Sequence, residues 1–168
     1  DHSTTTAEAA GHSGGDSGRG GDLLYRWGNP AAYDRGDAGD RQIFVQHDAQ
    51  WIAEGSPGAG YILIFNNGQG RAGGDYSSVD EIVPPVDVDG TYTGYGPAAP
   101  TWSYTASTPT DFYARNISGA QRLEDGNTLI CDGPQAHVFE VTAAGELVWE
   151  YDHGNGAIFR ATRYPADY

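Results

Sequence analysis

The chain has 168 residues, which is enough for one domain with a buried core. It carries 23 acidic residues against 9 basic ones, and the formal net charge is −14. Such a surface repels phosphate backbones and anionic lipid head groups, so nucleic acid and membrane surfaces are excluded as partners. Acidic enrichment without lysine suits a salty or an extracellular setting, and we predict a periplasmic or extracellular location.

The 25 glycines and 9 prolines favour short strands and tight turns over helices. Residues 1–21 are a Gly/Ser/Thr-rich loop without periodicity. Nothing further along has helical periodicity for two turns, so we predict an all-β chain. Its strands are expected at 22–27, 42–52, 61–66, 77–83, 101–106, 117–123, 128–131, 137–142, 146–151 and 157–164.

These strands recur as a unit. The segment Ala49-Gln50-Trp51-Ile52 aligns with Ala120-Gln121-Arg122-Leu123 and with Ala161-Thr162-Arg163-Tyr164. An aromatic pair at i, i+2 also recurs, as Tyr25/Trp27, Trp102/Tyr104 and Trp149/Tyr151. Such pairs lie on one face of a strand and can pack between neighbouring sheets. About four strands per roughly 40–45-residue unit is typical of β-propeller blades.

We therefore predict a partial β-propeller of about two blades. Residues 22–27 are the last strand of one blade, 42–106 and 117–151 are full blades, and 157–164 are the first strand of the next. Unpaired sheet edges promote association. The expected partners are accordingly the remaining blades or a partner chain, with a homo-oligomer as one form of the latter.

The first strand of a propeller blade lines the central channel, and His47 lies near the start of such a strand. A neutral imidazole there can act as a base, a nucleophile or a metal ligand, or it can be a hydrogen-bonded structural residue. Arg122 and Arg160 lie on the first strands of the later repeats, where guanidinium groups can bind an oxyanion or pair with surface carboxylates. No histidine pair has the spacing of a zinc site, so neither metal nor cofactor is predicted.

Several motifs together resemble bacterial aryl-sulfate sulfotransferase-like propeller proteins over nearly the whole chain. They are Asp1-His2-Ser3-Thr4-Thr5-Thr6, Arg26-Trp27-Gly28-Asn29-Pro30, Gln46-His47-Asp48, Phe65-Asn66-Asn67-Gly68, Tyr76-Ser77-Ser78-Val79 and Ile117-Ser118-Gly119-Ala120-Gln121-Arg122-Leu123 with Gly126-Asn127-Thr128-Leu129. The resemblance implies a six-bladed propeller. It also implies transfer of a sulfuryl group from an aryl sulfate to a phenol through a sulfohistidine, without 3′-phosphoadenylyl sulfate.

By this resemblance His47 falls at the nucleophilic histidine. Separately from the resemblance, His2, Arg122 and Arg160 are candidate substrate-binding residues. An aryl sulfate and a phenol are then the small-molecule partners. The competing hypothesis is a non-catalytic propeller module for binding or self-assembly. A quinoprotein dehydrogenase ranks last, because the chain has no paired cysteines and no tryptophan docking repeat.

Overall fold

The structure, a computed structural model, describes residues 1–165. The chain divides into two compact units. The first comprises Asp1–Arg41 and Pro84–Ala98, and the second comprises Gln42–Val83 and the residues from Ala99 onward.

The first unit consists mainly of loops. It contains one helical turn, α1 at Thr6–Ala9, and the 3₁₀ turns Pro30–Tyr33 and Ala38–Asp40. The strand predicted at 22–27 is absent, and that expectation was wrong. The aromatic residues of this segment are held by side-chain hydrogen bonds instead of a backbone ladder: Tyr25 Oη donates to Gly96 O (2.6 Å) and Trp27 Nε1 donates to Pro97 O (2.7 Å).

The second unit contains two four-stranded antiparallel sheets, which confirms the all-β prediction at this level. The strands follow one another in chain order within each sheet, and a single 3₁₀ turn, Pro109–Asp111, lies between the two sheets in sequence. The first sheet is β1 Gln46–Trp51, β2 Ile62–Asn66, β3 Ser78–Ile82 and β4 Trp102–Tyr104, and the second is β5 Gly119–Arg122, β6 Thr128–Asp132, β7 His137–Val141 and β8 Leu147–Asp152.

Residues 157–164 do not form the predicted strand, although they run beside β5. Two backbone bonds anchor the segment: Ser118 N donates to Phe159 O, and Ile158 N donates to Gly133 O, both at 3.0 Å. Further along, the side chain of Gln121 takes the place of a backbone partner. It accepts from Arg163 N and donates to Arg163 O, which interrupts the ladder.

The main core lies between the two sheets. One face of the first sheet packs against one face of the second, and the aromatic pair Trp102/Tyr104 packs against this core as the sequence predicted. Phe112, from the connection between the sheets, makes edge-to-face contacts with Phe65 and Phe139. The buried members of the core are Ile52, Leu63, Phe65, Val79, Phe112, Ala114, Ala120, Ile130, Phe139 and Val141.

A buried ion pair joins the two sheets. Arg122 Nη2 on β5 lies 2.7 Å from Glu81 Oε2 on β3, and the two side chains are 6% and 8% exposed. The Arg122 guanidinium also stacks on the Trp102 ring at 4.7 Å, and Trp102 Nε1 donates to Ala143 O (2.8 Å) beyond β7. Burial raises the pKa of Glu81 above its ordinary value, and the neighbouring Arg122 charge opposes that rise. We call the side chains of Arg122, Glu81 and Trp102 the clamp.

A row of paired residues repeats in both sheets. In the first sheet Gln50 pairs with Leu63, Leu63 with Glu81, and Glu81 with Trp102. In the second sheet the corresponding row across β5–β8 is Gln121, Leu129, Glu140 and Trp149. The clamp repeats as well, because Arg163 pairs with Glu140 and lies 5.5 Å from the Trp149 ring. In both places an arginine contacts a glutamate and a tryptophan. Residues 157–164 thus contact the second sheet in the way that β5 contacts the first sheet.

We expect Arg122→Ala to lower the free energy of unfolding by about 3–5 kcal/mol, because it leaves the Glu81 carboxyl buried without its partner. The double variant Glu81→Leu/Arg122→Met removes both charges and should recover most of that loss. Chemical denaturation followed by circular dichroism measures both. A loss below about 1 kcal/mol for Arg122→Ala would contradict the role of the clamp.

The single cysteine, Cys131, is buried in β6, with 1% of its surface exposed. Burial raises the pKa of its thiol to about 11, with a smaller contribution from the Asp132 charge. We expect the native chain to resist a thiol reagent at pH 8 and to react more readily as the pH approaches 11. In denaturant the thiol should react fully at pH 8. Fast native labelling at pH 8 would show that this part of the sheet opens readily.

Candidate functional site

His47 lies on β1, opposite Phe65 of β2, and is partly buried. Its Nδ1 is 2.7 Å from Oδ1 of Asn67, the residue that follows the end of β2. Asn67 is itself fully buried. The side-chain amide of Asn67 therefore orients the His47 imidazole. The side chains next to His47 in sequence are not needed to orient it.

The orientation of the Asn67 amide is fixed by two carbonyls. Its Nδ2 donates to Ala114 O (2.6 Å) and to Ile117 O (3.1 Å), so the Oδ1 atom is the one that faces the imidazole. Ser77 supports the arrangement from the other side: its hydroxyl donates to Asn67 O and accepts from Ala114 N, both at 2.9 Å. The Asn67 and Ser77 side chains are fully buried and hydrogen-bonded, which makes the arrangement rigid.

This geometry determines which nitrogen of His47 carries the lone pair. An amide oxygen only accepts, so Nδ1 must donate its proton to Asn67 Oδ1. In the neutral imidazole the lone pair then lies on Nε2. A histidine held in this way can act through Nε2 as a nucleophile, a base or a ligand.

Backbone strain is concentrated around His47. Four non-glycine residues in this region have positive φ: Val45 at 56°, Asp48 at 51°, Ile117 at 47° and Ser118 at 83°. A β-branched residue such as Val45 or Ile117 rarely adopts this conformation. Val45 lies two residues before His47, and the Ile117 carbonyl accepts from Asn67. Strain of this kind is typical of functional sites, where the surrounding structure enforces it.

A bulge in β1 directly after His47 brings Asp48 against the second sheet. The ladder register shifts between His47 and Gln50, and the Asp48 side chain is only 9% exposed. Arg160 Nη1 lies 3.0 Å from Asp48 Oδ1. The Asp48 carboxylate occupies the space where a side chain at Gly119 would lie, so any larger residue there would displace the carboxylate. The structure thus brings Arg160 to the residue next to His47.

The two other candidate residues have different surroundings. Arg122 is committed to the buried clamp with Glu81, which favours the ion-pairing alternative that the sequence left open. His2 is exposed in a turn of the first unit. Their roles in binding a substrate remain predictions.

Sequence reasoning missed two residues of this site. Asn67 lies in the motif Phe65-Asn66-Asn67-Gly68, which was noted for its resemblance and not for a contact with His47. Strict alternation along a strand puts Asp48 on the face opposite to His47 and gives no reason to place it at an ion pair. The bulge that changes its direction leaves no clear mark in the sequence.

A cleft of about 310 Å³ in the second unit lies away from His47. It includes Arg122, Arg163 and Glu54 in its lining. Within residues 1–165, no group of three or more His, Cys, Asp or Glu side chains is arranged to hold a metal ion. Over the same range, no helix combines the length and hydrophobicity that crossing a membrane requires.

Comparison with known proteins found no match: no protein-family model fits this sequence, and no curated protein or solved structure is significantly similar to it.

Proposed function

We propose that the chain carries the nucleophilic histidine of an aryl-sulfate sulfotransferase, with His47 accepting the sulfuryl group. The observation that supports this best is the Asn67 contact, which holds the imidazole through Nδ1 and leaves the lone pair on Nε2. The resemblance of the surrounding motifs to aryl-sulfate sulfotransferase-like proteins points to the same residue.

The proposed reaction has two displacements at sulfur. In the first, the His47 Nε2 lone pair forms an N–S bond while the S–O bond to the aryl group breaks, and the phenolate leaves with the electron pair. In the second, an acceptor phenol loses its proton, which the phenolate released in the first step takes up directly or through water, and its oxygen attacks sulfur while the N–S bond breaks and the electron pair returns to Nε2. The products are a new aryl sulfate and the free histidine, so no external cofactor is consumed.

Arg160 is the described cation best placed to assist. Guanidinium donors can stabilise the charge on the sulfuryl oxygens in the transition state. Arg160 bonds to Asp48, next to His47, and its side chain is 58% exposed, so part of its fork faces solvent. In this proposal Asp48 and Gly119 position Arg160, while Asn67 positions His47.

A second candidate function is an assembly module. In this proposal, one face of the second sheet binds a further sheet of the same repeat. Its face presents Leu123, Leu129, Cys131 and Val138, which correspond to Ile52, Leu63, Phe65 and Val79 of the first sheet. On the first sheet those residues are covered by the whole second sheet. On the second sheet, the partly buried residues packed against them are Ile158 and Ala161.

The aromatic residues of β8 support the same proposal. Trp149 and Tyr151 are 44% and 49% exposed, whereas their counterparts Trp102 and Tyr104 pack against the core. A further four-stranded sheet that continues the repeated row and packs against these residues is the occupant we propose. Closure into a six-bladed propeller, and a periplasmic or extracellular location, stay predictions.

We expect the chain to transfer a sulfuryl group from 4-nitrophenyl sulfate to phenol, and His47→Ala to abolish this transfer. His137→Ala is the matched control, because His137 is a strand histidine in the second sheet with no contact to Asn67, and it should retain activity. Release of 4-nitrophenol measures the rate. Transfer that survives in His47→Ala would rule out the proposed nucleophile.

The same assay tests the role of Asn67 with two further variants. Asn67→Ala should lower the rate about 10- to 100-fold, because the imidazole loses its fixed orientation. Asn67→Asp places a carboxylate beside the ring and favours its protonated form, so the acid limb of the pH–rate profile should move to higher pH. A merely structural Asn67 would leave that limb unchanged.

The assembly proposal is tested by extending the chain. A second copy of residues 123–151 is placed directly after Arg163, which corresponds to Arg122 in the repeat. We expect the extension to fold onto the second sheet and to increase the denaturant m-value, since more surface is buried. The same extension with Arg163→Glu is the control and should remain sensitive to protease. An unchanged m-value with an extension that is readily cleaved would contradict the proposal.

A further inference from the structure

The first unit contains a cleft of about 460 Å³ that the sulfotransferase proposal does not use. Its volume lies in the usual range for small-molecule sites, about 300–1,000 Å³. Aromatic and cationic side chains dominate its lining: the rings of Tyr25, Tyr33, Tyr92 and Tyr95, with the guanidinium groups of Arg19 and Arg26.

The tyrosine rings are held in place before any ligand binds. Tyr25 stacks on Tyr92, and Tyr33 stacks on Tyr95, each with centroids 5.3 Å apart and ring planes within 12° of parallel. The Tyr25 hydroxyl is tied to Gly96 O at 2.6 Å, and the Arg35 guanidinium lies 4.7 Å from the centre of the Tyr95 ring. Rings fixed in this way present flat apolar walls at a low entropic cost to a ligand.

The charged groups of the cleft favour an anion. Arg19 makes no side-chain hydrogen bond within residues 1–165, and Arg26 uses Nη1 for Ala32 O at 3.1 Å. The carboxylate in the lining, Asp22, is bonded to His12 Nδ1 at 2.6 Å. Burial raises the pKa of the Tyr25 hydroxyl, which therefore stays neutral. The cleft thus offers guanidinium donors in a chain whose net charge is −14.

We propose that this cleft binds an aromatic anion, a planar ring that bears a carboxylate, sulfate or phosphate group. The ring packs on the tyrosines through their faces and edges. The anionic group accepts hydrogen bonds from Arg19 and Arg26, whose planar forks match an oxyanion. An aromatic cation is disfavoured by the same two arginines. The proposal is independent of chemistry at His47, because every residue that carries it belongs to the first unit.

Titration calorimetry on the full chain tests the proposal with three aromatic anions: 4-hydroxybenzoate, 4-nitrophenyl sulfate and adenosine monophosphate. These probes separate a carboxylate, a sulfate and a phosphate as the source of the charge. Benzyl alcohol lacks the charge, inorganic sulfate lacks the ring, and trimethylphenylammonium has the opposite charge. We expect at least one aromatic anion to bind at least tenfold more tightly than all three of these comparison ligands.

The variant Arg19→Gln/Arg26→Gln should weaken that binding at least tenfold, whereas Arg115→Gln, an exposed arginine outside the cleft, should not change it. Both arginines of the cleft are exposed, so these changes should not affect folding. His47→Ala should bind as the unaltered chain does, which separates this proposal from the sulfotransferase proposal. The proposal is overturned if no aromatic anion binds, if a comparison ligand binds equally well, or if the double variant keeps full affinity.

Discussion

The arrangement of the second unit depends on one buried ion pair. Arg122 reaches from the first strand of the second sheet to Glu81 in the first sheet, and its guanidinium also covers the Trp102 ring. Two charges removed from water are stable only if each satisfies the other in a specific geometry. The pair therefore constrains how the two sheets pack, because separating Arg122 from Glu81 would leave two buried charges without partners. The Nε atom of Arg122 has no partner among the described residues, so the contact with Glu81 matters even more.

The position of the sheets in turn determines what surrounds His47. Asn67 can orient the imidazole because its own amide bonds to Ala114 and Ile117, which belong to the connection that leads into the second sheet. Arg160 reaches Asp48 from the segment that follows β8. The site thus combines parts of the chain that are up to 113 residues apart in sequence, from His47 to Arg160. A change in how the two sheets pack would therefore alter the surroundings of His47 even if no residue in contact with His47 were substituted.

The clamp also explains why the same residues recur in both sheets. The row of Gln, Leu, Glu and Trp places an acid and an aromatic ring on the same face of each sheet, where an arginine of the next segment can meet them. Arg122 does so for the first sheet and Arg163 for the second. Under the assembly proposal, a further sheet with the same row would in turn accept an arginine from the segment that follows it, as neighbouring units do in repeat proteins.

The sequence alone determined the strand content and the repeat. Alternating apolar residues and frequent turns predicted eight strands of the second unit, and the alignment of Ala49-Gln50-Trp51-Ile52 with Ala120-Gln121-Arg122-Leu123 matched the two sheets. These features are local, so neighbouring residues suffice to reveal them. The sequence also singled out His47, but only as a residue type in a strand. Where the sequence misled, at 22–27 and 157–164, side-chain hydrogen bonds from distant residues had replaced the backbone ladder. Only the tertiary structure decided that Asn67 fixes the tautomer of His47, that a bulge turns Asp48 towards Arg160, and that Arg122 is buried against Glu81. Each of these depends on contacts between residues far apart in sequence, and no local pattern records such contacts.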